Sequence, residues 1–135
     1  MRALGGTLAG IVVGLIVQSA LGYLANLLFP MVANPLNRAQ MADAYAARPA
    51  IAAILWMAVY LISAFVAAYV ARSIAKRRWS GWVAGGFVAL MALVLALFYP
   101  EPAWAQFGAF LAALLGTMFG CHAPLRRRAG PGNAE

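Results

Sequence analysis

Hydrophobic residues fill the chain in four long uninterrupted runs, at 4–29, 50–71, 82–99 and 103–121. None of the four contains Asp, Glu, Lys or Arg. A hydrocarbon core about 30 Å thick is crossed by roughly 20 apolar residues in α-helical form. Each run meets or approaches that length. The pattern predicts an all-α membrane protein, a bundle of four transmembrane helices forming one membrane domain.

The segments between the runs are short and punctuated. "LLFP" closes the first run, and Pro30 and Pro35 block its continuation. In the 30–49 loop, Asn37 has the chemistry of an N-cap, with Gln40 three residues on as a capping-box partner. Ala, Met and Gln then favour helix over 38–47, with Met41 and Tyr45 on one face. A short interfacial helix is expected there. A basic loop at 72–81 and a tail at 122–135 complete the chain. At about 26 residues and 1.5 Å each, the first run is about 39 Å long, more than a 30 Å core needs. It also exceeds the roughly 7–15 apolar residues of a signal peptide, so a retained helix is expected.

Charge adds orientation. Of 135 residues, 65% are hydrophobic and 10% charged, with a net charge of +7. Arg72, Lys76, Arg77 and Arg78 follow the second run, and Arg126, Arg127 and Arg128 follow the fourth. The other loops balance Arg38 and Arg48 against Asp43 and Glu101. Basic residues beside spans mark the cytoplasmic side, so both termini are expected in the cytoplasm. Clusters in these places speak for topology and anionic lipid rather than nucleic acid.

Small residues recur at every fourth position. Gly6, Gly10 and Gly14 begin such a stripe in the first run, which continues in the same step through Gln18, Gly22 and Asn26. Gly108, Ala112, Gly116 and Gly120 form another in the fourth run, and Gly81, Gly85, Ala89 and Ser63, Ala67, Ala71 form shorter ones. Helices associate in lipid by close backbone approach and polar contacts, and such stripes permit the approach. Their partner is another helix of the chain or a second protomer. Gln18 and Asn26 are expected to make interhelical hydrogen bonds. A faint repeat pairs "LFP" with "FYP", "RPAI" with "EPAW" and "AKRR" with "LRRR". A true duplication would relate the halves by an axis along the membrane normal.

The chemistry is sparse. No Asp, Glu, His, Lys or Arg lies within a run, against the habit of proton-coupled transporters. Cys121 and His122 are adjacent, and on a helix they point about 100° apart, which does not suit chelation of one ion. No catalytic residue, metal site or cofactor site is expected. Glu101, in "FYPEPAW", sits between two prolines just before the fourth run. There it is expected to serve the turn and the helix N-terminus, with a salt bridge to Arg38 or Arg48 as the other reading.

The first run ending "LLFP", a loop rich in Ala, Met, Asp and Tyr, a proline-started second run, a basic loop and a third run leading into "YPEPAW" together resemble a family of uncharacterised bacterial four-helix integral membrane proteins. The resemblance covers about residues 10–120. It implies Glu and His at the positions of Gly22 and Asn26, and His at that of Glu101, so this chain departs from the pattern at all three. It implies architecture and a bacterial inner membrane, and no function. The expectation for function is a small structural or accessory subunit, an interaction module associating with other membrane proteins or with itself in the lipid bilayer. The alternative is an oligomeric channel or transporter of small solutes.

Overall fold

A computed structural model describes residues 1–30 and 37–125. It contains α1 (Arg2–Leu28), α2 (Arg38–Ala46), α3 (Ala50–Ala75), α4 (Arg78–Phe98) and α5 (Ala103–His122). All but α2 are long and apolar enough to cross a membrane. The molecule is an all-α bundle of four spans. Arg126, Arg127 and Arg128 lie outside the described residues.

Helix ends follow local chemistry. Asn37 caps α2, its Oδ1 accepting from the backbone N–H of Ala39 at 3.1 Å and of Gln40 at 3.3 Å. Pro49 and Pro102 occupy the N-caps of α3 and α5 in extended conformations. The expected basic loop is mostly helix: α3 runs on to Ala75 and α4 starts at Arg78. Lys76 makes the sharp reversal between them in the left-handed region, with φ 58°. Arg72 does more than mark a membrane face. Its Nη1 donates to the carbonyls of Cys121 and Ala123, closing the C-terminus of α5 with a positive charge.

α3 is the hub, packed against α1, α4 and α5, while α1 and α5 do not meet. An axis relating the halves would pair α1·α5 with α3·α4, so the contacts depart from that symmetry. The faint repeat is not carried into the packing.

The core is built from Ala, Gly and hydroxyls. Ala64, Ala67, Ala71, Ala84 and Ala113 are fully buried. A Cβ on Gly10 would stand 2.5 Å from the Ala67 carbonyl oxygen, and one on Gly14 2.6 Å from Ala67 Cβ. On the other side of α3, a Cβ on Gly120 would stand 2.5 Å from the Phe65 oxygen, and one on Gly116 would collide with that of Leu61. The α1 and α5 stripes are therefore both occupied within the chain. Gly108 is the exception, facing the flexible Met57 side chain rather than backbone. On α4, Gly81 and Gly85 admit Cys121 and Thr117 of α5. Buried Ser63 and Thr117 satisfy their hydroxyls on their own helices, at Val59 O (2.7 Å) and Ala113 O (2.8 Å).

Gly116→Leu is expected to destabilise the fold by at least the upper end of the roughly 1–3 kcal/mol typical of overpacking, because rigid backbone leaves no room. Leu115→Ala, on the exposed face, should change stability by no more than about 0.5 kcal/mol. Thermal unfolding of both variants in mild detergent checks this; equal losses would refute it.

Candidate functional site: a cavity at the proline-rich end

The bundle is closed at the basic end, around Arg72 and Arg78, and open at the other, around Pro30, Pro49, Pro100 and Pro102. The difference starts on α1. Its four-residue step places Gly6, Gly10 and Gly14 against α3 backbone. One step on, the same face carries Gln18, then Gly22, then Asn26. Here α3 presents Trp56 and Tyr60 instead of alanine, and Gly22 rests on the indole, with a Cβ there 3.0 Å from Cη2. Large rings hold the two helices apart where small residues had drawn them together.

A cavity of about 620 Å³ fills the gap. Leu15, Ala53, Leu95, Ala105 and Ala109 give it an apolar lining, contributed by four helices. Ser19 and Tyr23, both exposed, line it from α1. Met41 and Tyr45, on the shared face expected for α2, line it from the loop side with Arg48. Tyr60, Tyr99 and Glu101 complete the polar part. The Tyr45 and Tyr99 rings lie 6.2 Å apart and tilted, as do those of Trp56 and Tyr60.

Arg48 fastens α1 to the start of α3. Its Nη2 donates to Phe29 O at 3.0 Å and to Asn26 Oδ1 at 3.4 Å. Its guanidinium lies 5.8 Å from the centre of the Tyr45 ring. Gln106 holds the α4–α5 turn, donating from Nε2 to Ala96 O at 3.1 Å and to Glu101 O at 2.9 Å.

Glu101 departs from expectation. α5 has no side-chain cap, and the Glu101 carboxyl is half-buried on the cavity wall. Pro100 and Pro102 fix a bend that carries the side chain inward. Burial raises its pKa above the usual carboxylate range, and the positive charge of Arg48 opposes that rise. Burial and the nearby Glu101 likewise push the Tyr45 hydroxyl up to about 12, with Arg48 opposing. Among the described residues Glu101 makes no salt bridge within 4.0 Å, so the ion pair with Arg48 is not realised, although the two share the cavity, and the Arg38 side chain lies outside those described.

Gln18 and Asn26 also depart from expectation. Gln18 Oε1 is buried and has no hydrogen-bond partner, and Asn26 binds the Arg48 guanidinium rather than a neighbouring span. Both residues line the cavity. Arg48 Nε and Trp56 Nε1 are buried without a partner as well. Gly22, Asn26 and Glu101, the positions singled out by the family resemblance, line one wall system. Arg48, Trp56 and Tyr60 are further functional candidates, of which the sequence pointed only to Arg48, as an ion-pair partner for Glu101. Their signal was the change of the α1 stripe from glycine to polar residues at Gln18. Among the described residues no group of three His, Cys, Asp or Glu side chains is placed to hold a metal ion.

Comparison with protein-family models, curated proteins and solved structures gives no match to this chain. The site is therefore read from its own geometry.

Glu101→Gln is expected to flatten the dependence of stability on pH. A carboxyl whose pKa is raised by folding contributes stability that is full below its unfolded pKa and lost as pH rises through the folded one. The wild type should thus gain stability on acidification across that window. The variant should lack the gain and melt higher than wild type at pH 7. Thermal scans from pH 4 to 8 test this, and identical profiles would refute it.

Proposed function

We propose that this chain is a multi-pass protein of the bacterial inner membrane, with both termini cytoplasmic, that binds a small amphipathic molecule in the cavity at its outer end. The observation that carries the reading is the cavity itself. It is of the size of small-molecule sites, apolar in its depth, with a few polar groups converging at one end. Gln18, Arg48 and Trp56 line it, and Gln18 Oε1, Arg48 Nε and Trp56 Nε1 are buried behind its surface without partners. A buried polar atom left unpaired costs about 1–3 kcal/mol, and a ligand toward which such a side chain turns recovers much of that.

The orientation rests on Arg72, Lys76, Arg77 and Arg78 at one end of the bundle. Partly exposed aromatics agree at both ends, Trp79 and Trp82 near the basic turn and Tyr99 and Trp104 near the cavity. Ser19 lies well inside α1, and it is exposed where it lines the cavity. That gives an amphiphile a lateral path from the outer leaflet. Its apolar part would lie along Leu15, Ala53 and Ala109, and its polar part would face Arg48 and Glu101. Beyond Tyr60 the interior is closed by buried Ala64, Ala67 and Ala113. A solute path across the membrane requires that packed half to open, so binding is favoured over conduction.

The accessory-subunit reading keeps one specific support. The side of α2 away from the cavity, with Gln40 and Asp43, is exposed and polar, a surface suited to docking another subunit. The stripes of α1 and α5, both packed on α3, no longer call for an outside partner.

Two measurements test the orientation and the binding. Gln40→Cys and Arg77→Cys, both at exposed positions, should react with a membrane-impermeant maleimide from opposite sides, Gln40→Cys from outside the cell. Labelling from one side would overturn the orientation. Native mass spectrometry of the gently extracted protein should show a retained small molecule or lipid. Ala53→Trp, which fills the cavity, or Ser19→Trp, which crowds it from an exposed position, should cut its occupancy at least about tenfold, a change of 1.4 kcal/mol. An occupant insensitive to both would overturn the binding reading.

A further inference from the structure

Resting on that binding reading, the chemistry of the cavity wall narrows the ligand. Three of the residues that line it carry buried polar atoms without partners, of both kinds. Arg48 Nε and Trp56 Nε1 are donors without acceptors, and Gln18 Oε1 is an acceptor without a donor. Among the described residues the Glu101 carboxylate is a second acceptor with no donor to its side chain. Arg48 and Glu101 line the same cavity yet form no ion pair within 4.0 Å. Each charge is left to be answered by something between them.

An anion that met Arg48 would be repelled by Glu101. A cation that met Glu101 would be repelled by Arg48. An uncharged ligand would bury both charges unanswered, which low-dielectric surroundings penalise. One class meets all conditions. We infer that the cavity receives a zwitterion, with an ammonium group toward Glu101 and an acidic group toward Arg48.

The aromatic groups agree with this assignment. Tyr45 and Tyr99 stand 6.2 Å apart beside Glu101, and Tyr60 lies on the same wall. Ring faces attract ammonium groups, quaternary ones included, and do so more strongly when water is displaced. Arg48 is held by Phe29 O and Asn26 through Nη2, which fixes its positive charge at the cavity wall for an acidic group to meet. The ligand chemistry occurs in two sources, a phosphoethanolamine or phosphocholine lipid headgroup and a free zwitterionic solute.

The test uses the full chain in nanodiscs of phosphatidylglycerol alone, which present no ammonium headgroup, with empty discs as blank. Calorimetric titration compares four probes. Dihexanoylphosphocholine carries both charges, dihexanoylphosphatidylglycerol only the negative one, hexyltrimethylammonium only the positive one, and phosphoethanolamine both charges without a tail. The zwitterionic lipid should bind at least tenfold more tightly than either singly charged amphiphile. Phosphoethanolamine binding with like affinity identifies a free solute as the source, and its failure beside a binding lipid identifies the headgroup. Glu101→Gln should abolish the preference over the anion, and Arg48→Gln the preference over the cation. Should Arg48→Gln fail to fold, the four probes on wild type and Glu101→Gln decide alone. A singly charged probe binding as tightly as the zwitterion, or preferences unchanged in the variants, would overturn the assignment. If no zwitterion binds while Ser19→Trp still expels a co-purified occupant, the assignment falls and the binding reading stands. If nothing binds and no occupant depends on the cavity, both fall.

Discussion

Everything in this bundle depends on how closely α1 and α5 approach the backbone of α3. Lipid tails are as apolar as leucine, so there is little hydrophobic drive to hold membrane helices together. What holds them is the sum of small dispersion contacts, which falls quickly with distance. Gly10 and Gly14 on one side of α3, and Gly116 and Gly120 on the other, bring backbone to within reach of backbone. A single methyl group at any of these four positions meets α3 main chain or a buried alanine. The tight half is thus rigid by construction. It also places α1 and α5 on opposite sides of one helix, so they can diverge without losing their anchor.

That anchor makes the open half possible. From Gln18 onward the face of α1 that had been glycine carries an amide, and α3 answers with Trp56 and Tyr60. The two halves handle polar groups differently. In the closed half, the Ser63 and Thr117 hydroxyls return to carbonyls of their own helices and ask nothing of their neighbours. In the open half, Gln18 Oε1, Trp56 Nε1 and Arg48 Nε remain unpaired. In the closed half only Ser80 Oγ is likewise unpaired, so three of the four buried unpaired atoms among the described residues belong to residues that line the cavity.

Much of the fold was legible in the chain. Four charge-free runs and their prolines define the spans, and Asn37 marks the start of α2. The helix ends near Arg72 and Arg78 were misplaced because charged residues were assigned to loop. Those arginines extend beyond the apolar runs as helix, with only the Lys76 reversal between them. The site was less legible for a definite reason. Proline on each side of Glu101 signals a bend but not its direction, and direction decides whether a carboxyl caps a helix or faces a cavity. Arg48 reads as one charge in a balanced loop until the fold brings it to Asn26 and Phe29, 22 and 19 residues earlier in the chain. Non-local contacts of that kind have no periodicity to reveal them. The stripe on α1 was visible, and so was its change at Gln18. Its meaning needed the facing residues of α3.

The same step of four residues therefore encodes two things along one helix face. With glycine in the register it makes adhesion, and with Gln, Gly and Asn in the register it makes a wall. Such an arrangement couples the site to the fold with few residues. Trp56 shows this most clearly, since its ring supports Gly22 while the same residue lines the cavity and carries an unpaired Nε1. Arg48 does the same at the rim, tying the end of α1 with Nη2 and leaving Nε unpaired. An occupant that engages these two side chains acts on the same groups that set the spacing of α1 and α3. The proposed binding at the proline-rich end would for that reason be inseparable from the stability of the open half, while the glycine-packed half below it would stay as it is.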